Sequence, residues 1–147
     1  MVKISKAVFD EDTVNQLIEL SKIWEKEDIT NGLRSNTRED LLEPCFVAKD
    51  GSKIVGYIFG EYVEQSRKVG YIERGDKCFY VSEVYVLKEY RSQGIGRQLF
   101  TAIEEEIKGK AQFLTLSTST KDYEKILSFY TKCVNMDFHD AFLIKKL

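Results

Sequence analysis

The chain has 147 residues, 43% of them hydrophobic and 31% charged, with 22 basic against 24 acidic side chains and a net charge of −2. That length suits one domain with one core, and the balanced charge lacks the basic excess that a nucleic-acid binder needs. No apolar run approaches the roughly 18 residues that cross a bilayer. The opening Met1–Lys6 alternates like a strand and carries no leader-type apolar region, so a cytoplasmic protein without membrane contact is expected. Cys45, Cys78 and Cys133 lie far apart, and His139 is the one histidine. No metal-ligand spacing results, no metal is expected, and the cysteines read as small buried residues in a reducing compartment.

In chain order, Val2–Phe9 reads as a strand. A helix follows over about Asp12–Lys26, capped by Asp10 or Asp12, with Val14, Leu17, Ile18 and Trp24 near helical spacing. Glu25–Arg38 is polar and reads as a loop, and Thr37–Leu42 as a short helix that ends before Pro44. Cys45–Lys49 and Lys53–Gln65 are strands joined at Asp50-Gly51, a hairpin signal because glycine tolerates positive φ. Ser66–Lys77 is a charged hairpin loop and Cys78–Val86 a further strand. Gly94–Lys108 is a helix with Ile95, Leu99, Ile103 and Ile107 on one face. Phe113–Ser117 is a short strand, Asp122–Lys132 a helix and Phe138–Lys145 a last strand. Hairpins in the middle and helical crossovers near the end describe a mixed sheet covered by helices, an α/β (α+β) class.

The stretch from Val81 to Phe100 carries the chemistry. A strand runs into a turn with Gly94 and Gly96, and the turn opens a helix. The first N–H groups of a helix lack intrahelical partners, and the dipole adds positive potential there. Two glycines let an anion approach the backbone, so the turn is a phosphate cradle to which Arg91 and Arg97 can add charge-assisted bonds. A dinucleotide fingerprint is rejected, because a third glycine is missing and the preceding strands form hairpins. No Gly-Lys-Ser/Thr follows, so a Walker-type loop is also absent.

Arg91-x-x-Gly94-x-Gly96, preceded by Val84-Tyr85-Val86, resembles the signature of the GNAT superfamily of N-acetyltransferases. The resemblance implies an acyl-CoA N-acyltransferase fold over residues 1–147 as a single domain, with a central mixed sheet of six to seven strands flanked by helices. It implies acetyl-CoA as cosubstrate and a small-molecule or peptide amine as acceptor. Backbone groups of Val84, Tyr85 and Val86 would flank the pantetheine arm at a splayed, bulged strand. Arg91, Ser92, Gln93, Gly94, Ile95, Gly96 and Arg97 would hold the pyrophosphate, and an N–H near Val84 would face the thioester carbonyl. Ser128-Phe129-Tyr130-Thr131-Lys132 is similar to the helix whose tyrosine protonates the departing thiolate. Tyr130 is therefore either that acid or a core tyrosine beside Phe129.

The pattern departs from the family in two places. Tyr123 stands where many members have a pantetheine-binding asparagine. Asp137-Phe138 replaces Gly-Phe and lies further from Tyr130, so Thr131–Asp137 is expected to be reshaped. For the base, Glu83 is the leading candidate, Glu61 the reserve, and a water chain to a backbone carbonyl the third option. Trp24–Asn36 and Glu61–Lys77 would form the acceptor pocket. Their carboxylates are mixed with basic residues, and Tyr57, Tyr62, Tyr71 and Tyr85 either line it or pack the sheet. Relatives are often dimers, so a homodimer stays open. The reading from another class is a non-catalytic acetyl-CoA-binding regulatory module.

Overall fold

A computed structural model describes residues 1–147 as a five-stranded sheet in the order β1-β2-β3-β4-β5, with β1 Val2–Lys6, β2 Cys45–Asp50, β3 Lys53–Glu64, β4 Lys77–Val86 and β5 Phe113–Thr115. The first four strands are antiparallel neighbours and β5 runs parallel to β4. Helix α1 spans Glu11–Glu27, α2 Ile95–Ile107 and α3 Tyr123–Ser128. No helix is long and apolar enough to cross a membrane.

Local chemistry accounts for most boundaries. Asp10 caps α1, its carboxylate accepting from the Thr13 N–H at 2.8 Å, and Asp28 ends the helix in the left-handed region at φ 53°. Thr37 and Asp40 form a capping box around the 3₁₀ turn Arg38–Asp40. The β2–β3 turn uses Gly51 at φ 62°. Along α2, Ile95, Leu99, Phe100, Ile103 and Ile107 are buried, and each such side chain stabilises the fold by about 1.5–3 kcal/mol.

The two long helices cover opposite faces of the sheet. Trp24 of α1 stacks on Tyr85 of β4, with ring centroids 5.0 Å apart. Tyr57, Phe59 and Glu83 share that face, as the pairs Tyr57↔Tyr85 and Phe59↔Glu83 require. Arg97 and Gln98 of α2 lie beside Ile4 and Phe46, and Phe46 pairs with Ile58 of the opposite face.

A register shift interrupts the β3–β4 ladder. Phe59 pairs with Glu83 but Gly60 with Val81, so Ser82 is the extra residue of a β-bulge. Gly60 is needed here, because a Cβ on it would sit 2.1 Å from the Tyr80 carbonyl oxygen.

The expected strand count is corrected to five. Phe138–Lys145 is not a strand, because no strand lies beside it to supply a ladder. The helix expected over Asp122–Lys132 stops at Ser128 and widens into a π-turn at Phe129–Cys133, and Asn135 then adopts φ 62°. The stretch Thr131–Asp137 is thus reshaped. The remaining elements appear within a few residues of their expected ends.

Gly60→Ala should lower the unfolding free energy by about 3 kcal/mol, because the methyl group meets rigid backbone. Chemical denaturation checks this, and a loss below a few tenths of a kcal/mol would mean that the bulge rearranges freely.

Candidate active site

The end of β4 leads through a 3₁₀ turn, Lys88–Tyr90, into the glycine loop. Ser92 sits at φ 63° and Gly94 at φ 80°. The first hydrogen bond of α2 runs from the Gln98 N–H to the Gly94 carbonyl at 3.1 Å, and no N–H from Ser92 through Arg97 donates to a backbone carbonyl. Left-handed residues at 92 and 94, beside a run of N–H groups without backbone acceptors at a helix start, suit an anion. Ser92, Gln93, Gly94 and Arg97 are exposed. Around Gly94 the nearest atom to a notional Cβ is 3.9 Å away, so the approach is open. Ile95 is buried and anchors the helix start, while Gly96 lets the Phe129 ring pack against α2.

The Arg91 side chain is placed elsewhere. Its Nε donates to the Val86 carbonyl at 2.9 Å, and its Nη2 pairs with Glu27 Oε1 at 2.9 Å. Its guanidinium lies 5.4 Å from the Tyr85 ring centre. The Tyr85 hydroxyl also donates to Glu27, and burial first, then this bond, raise its pKa. Arg91 thus ties the loop to the last turn of α1, and Arg97 is the guanidinium that the loop leaves exposed.

Beside this loop, β4 loses its neighbour. Pairing with β5 covers only Cys78, Phe79 and Tyr80. The Leu87 N–H donates to the Val55 carbonyl across β3, so by antiparallel alternation Tyr85 also faces β3 while Val84 and Val86 turn their N–H and C=O groups to the open edge. Arg91 occupies the Val86 carbonyl.

Glu83 stands one residue before that edge and is partly buried. Its Oε1 accepts from Asn36 Nδ2 at 2.9 Å and from the Tyr57 hydroxyl at 2.8 Å. Burial raises its pKa above the usual carboxylate range, against the pull of the Asn36 and Tyr57 hydrogen bonds. Tyr57 is fully buried, and burial, then the Glu83 charge, push its pKa up and keep it a donor. The loop holding Asn36 is itself pinned, since the Asn36 N–H donates to Ser21 Oγ at 2.8 Å. Glu61 opposes Tyr80 beyond the bulge and is exposed, so it lacks the enclosure that tunes Glu83.

Tyr130 lies on the π-turn, buried between Phe100 at 5.8 Å and Phe129 at 5.5 Å. Burial pushes its pKa up to about 12, so it stays protonated at neutral pH. The Phe129 packing against Gly96 sets Tyr130 near the start of α2. Tyr123 is exposed at the start of α3.

The loop after α1 closes over toward the segment following β5. Asn31 N–H donates to the Ser119 carbonyl and Lys121 N–H to the Ile29 carbonyl, both at 2.8 Å. Lys121 Nζ pairs with Asp28 at 2.8 Å. Of the four tyrosines, Tyr57 and Tyr85 face the site, whereas Tyr62 packs on Phe79 and Tyr71 on Phe113. The roles of Glu27 and Asn36 were not individually legible in the sequence. The polar loop on which Asn36 lies, ahead of an alternating hairpin, was the available signal.

The model of the acetyltransferase (GNAT) family matches residues 11–134, and the chain belongs to that family. No curated protein sequence matches it. Among solved structures it is similar to an aminoglycoside acetyltransferase from an uncultured soil metagenomic sample, in complex with trehalose. That match has 21% identity and a TM-score of 0.71, covering 99% of this chain and 96% of that one. It is also similar to an acetyltransferase of Trypanosoma brucei, at 18% identity and TM-score 0.67 over the whole of both chains. A predicted acetyltransferase from Clostridium acetobutylicum with acetyl-CoA matches at 16% identity and TM-score 0.67, over 99% and 96%. These likenesses establish the fold. The family uses acetyl-CoA, and the free N–H groups of Ser92–Arg97 and the open β4 edge suit its pyrophosphate and pantetheine parts.

Gly94→Asp places a carboxylate where an anion would sit. Coenzyme A affinity should fall at least about tenfold by titration calorimetry, with an unchanged circular dichroism spectrum. Undiminished affinity in the folded variant would remove this loop from coenzyme A binding.

Proposed function

We propose that the chain, acting as a single domain, transfers the acetyl group of acetyl-CoA to a primary amine of a small molecule or peptide by direct attack. The observation that carries this reading is the position of Glu83: a carboxylate with a raised pKa, held by Asn36 and Tyr57, one residue from the unpaired backbone edge of Val84. An alkyl ammonium must lose a proton before it attacks a thioester, and a carboxylate with a raised pKa accepts one more readily near neutrality.

In this reading Ser92–Arg97 bind the pyrophosphate through backbone N–H groups, with Arg97 adding charge. Val84 and Val86 flank the pantetheine, and the Val84 N–H faces the oxygen that gains negative charge as the amine adds. Glu83 takes the amine proton, directly or through one water. Tyr130 then serves the departing sulfur. A phenol raised to about 12 is a weaker acid than a thiol near about 8.5. Its contribution is thus a hydrogen bond that stabilises the developing thiolate, which departs as the anion and takes its proton from water.

Several of the similar structures are aminoglycoside acetyltransferases, one of them in complex with sisomicin. A cationic small-molecule amine therefore heads the acceptor classes.

The test is thiol release from acetyl-CoA against polyamines, aminoglycosides, amino acids and peptides. Turnover with one class, reduced about 10²-fold or more in kcat by Glu83→Gln and by Tyr130→Phe, is the expected result. Coenzyme A binding without release from any amine would favour a non-catalytic acetyl-CoA-binding module.

A pH profile separates Glu83 from other bases. Activity requires its ionised form, so kcat/KM falls as pH drops below its pKa. The Tyr57 hydroxyl stabilises that ionised form. Tyr57→Phe should therefore move the acid limb of kcat/KM to higher pH. An unmoved limb would assign it to another group.

A further inference from the structure

Asn36 is almost wholly enclosed, with 7% of the residue exposed, yet only half of its amide is used. Nδ2 donates to Glu83 Oε1 at 2.9 Å. Carboxylate oxygens accept and do not donate, so the end that faces Glu83 is the NH2 group, and Oδ1 is turned away from that bond. No group of the protein donates to Oδ1, and no buried side-chain oxygen or nitrogen is left without a partner. Oδ1 is therefore reachable from outside. Glu83 repeats the pattern. Its Oε1 takes both hydrogen bonds, from Asn36 and from Tyr57 at 2.8 Å, and Oε2 is free and accessible. The amide and the carboxylate thus each present one open acceptor, and the bond between their other atoms makes these two oxygens neighbours.

The pair is held in place from both sides. The Asn36 N–H donates to Ser21 Oγ at 2.8 Å, and the fully buried Ser21 donates in turn to the Ile18 carbonyl at 2.7 Å. Glu83 is fixed by Tyr57 and by its register opposite Phe59. Arg34, the cation two residues before Asn36, is taken by both oxygens of Asp40 at 3.0 Å each. No side chain of the protein therefore supplies hydrogens to the two open oxygens. Fixed acceptors of this kind, one residue from the open edge at Val84, match a group that brings at least two N–H hydrogens.

We infer that Asn36 Oδ1 and Glu83 Oε2 together seat the amino group of the acceptor, and that Asn36 makes the site selective for primary over N-substituted amines. The inference rests on the acetyl-transfer reading above. An alkylammonium carries three hydrogens. One passes to Glu83 Oε2 and frees the lone pair, which bonds to the thioester carbon as the C–S bond breaks. A second leaves to water as the amide forms. The third lies on Asn36 Oδ1 throughout and stays on the product as its amide N–H. A secondary ammonium has two hydrogens, and both must leave. Its extra carbon takes the place of the third and strips Oδ1 of a donor once the substrate has excluded water. A site built around such a bond rejects the analogue that lacks it far more strongly than an apolar pocket rejects one methylene. A neutral amide suits this place, because a second carboxylate there would push the Glu83 proton affinity further up.

The experiment follows thiol release from acetyl-CoA with matched primary and N-methyl amines: putrescine with N,N′-dimethylputrescine, glycinamide with sarcosinamide, and a methyl aminodeoxyglucoside with its N-methyl derivative. For the class that turns over, kcat/KM of the wild-type protein should favour the primary amine by about 10²-fold or more. Asn36→Ala removes Oδ1 but keeps the backbone bond to Ser21, and should shrink that preference by at least about tenfold. A role confined to holding Glu83 would lower both amines alike and leave the ratio unchanged, which overturns the inference. So does a wild-type protein that acetylates both members of a pair equally well, a result that needs no variant to fold. Either result leaves the catalytic reading standing, whereas thiol release from no amine removes both.

Discussion

A strand that loses its neighbour halfway along must satisfy its backbone polar groups in another way. After Tyr80, β4 no longer pairs with β5, and the bulge at Ser82 turns the strand where the two part. Val84 and Val86 therefore face an open edge, which in a buried ladder would be closed to any ligand. The rest of the site follows from that divergence. β4 leads straight into the glycine loop, so the open edge and the unpaired N–H groups of Ser92–Arg97 form one continuous polar track. Gly60 permits this geometry on the β3 side, where no other residue clears the Tyr80 carbonyl.

The same bulge sets the chemistry of Glu83. With Ser82 inserted, Glu83 falls opposite Phe59 and on the face covered by α1, where burial works against its charge. Asn36 and Tyr57 work the other way, each donating to the same carboxylate oxygen. The net shift is upward, so desolvation outweighs two hydrogen bonds. A carboxylate in deeper burial without donors would remain protonated at neutral pH, and one in water would be a weaker base.

Features that depend on short sequence range were legible. The four-residue spacing of α2, the Asp10 cap, the Asp50-Gly51 turn and the Gly94/Gly96 loop are each set within a few positions, and each appears where the residues imply. Glu83 was legible as a candidate because it adjoins Val84. Its partners were not, since Tyr57 lies 26 and Asn36 47 positions away in sequence, and only the folded register brings them together. The direction of Arg91 was hidden for the same reason: its partner Glu27 is 64 positions away. Phe138–Lys145 shows a different limit. Apolar alternation marks a segment able to form a strand, but a strand also needs an edge, and local pattern does not say where that edge is.

Glu27 joins the two halves of the site. It accepts from Arg91 on the glycine loop and from Tyr85 on β4, while Trp24, one turn earlier on α1, stacks on the same tyrosine. Arg91 in turn holds the Val86 carbonyl. Displacing the end of α1 would therefore disturb the open edge and the glycine loop together. The loop that follows α1 carries Asn36 to Glu83 and bonds to Ser119 and Lys121 beyond β5. One chain of contacts thus runs from the glycine loop, through Arg91, Glu27 and the α1 terminus, to Glu83 and the segment beyond β5. A side chain read from its motif as a phosphate ligand is, in the folded protein, bonded to Glu27 and the Val86 carbonyl, and so links the glycine loop to the α1 terminus.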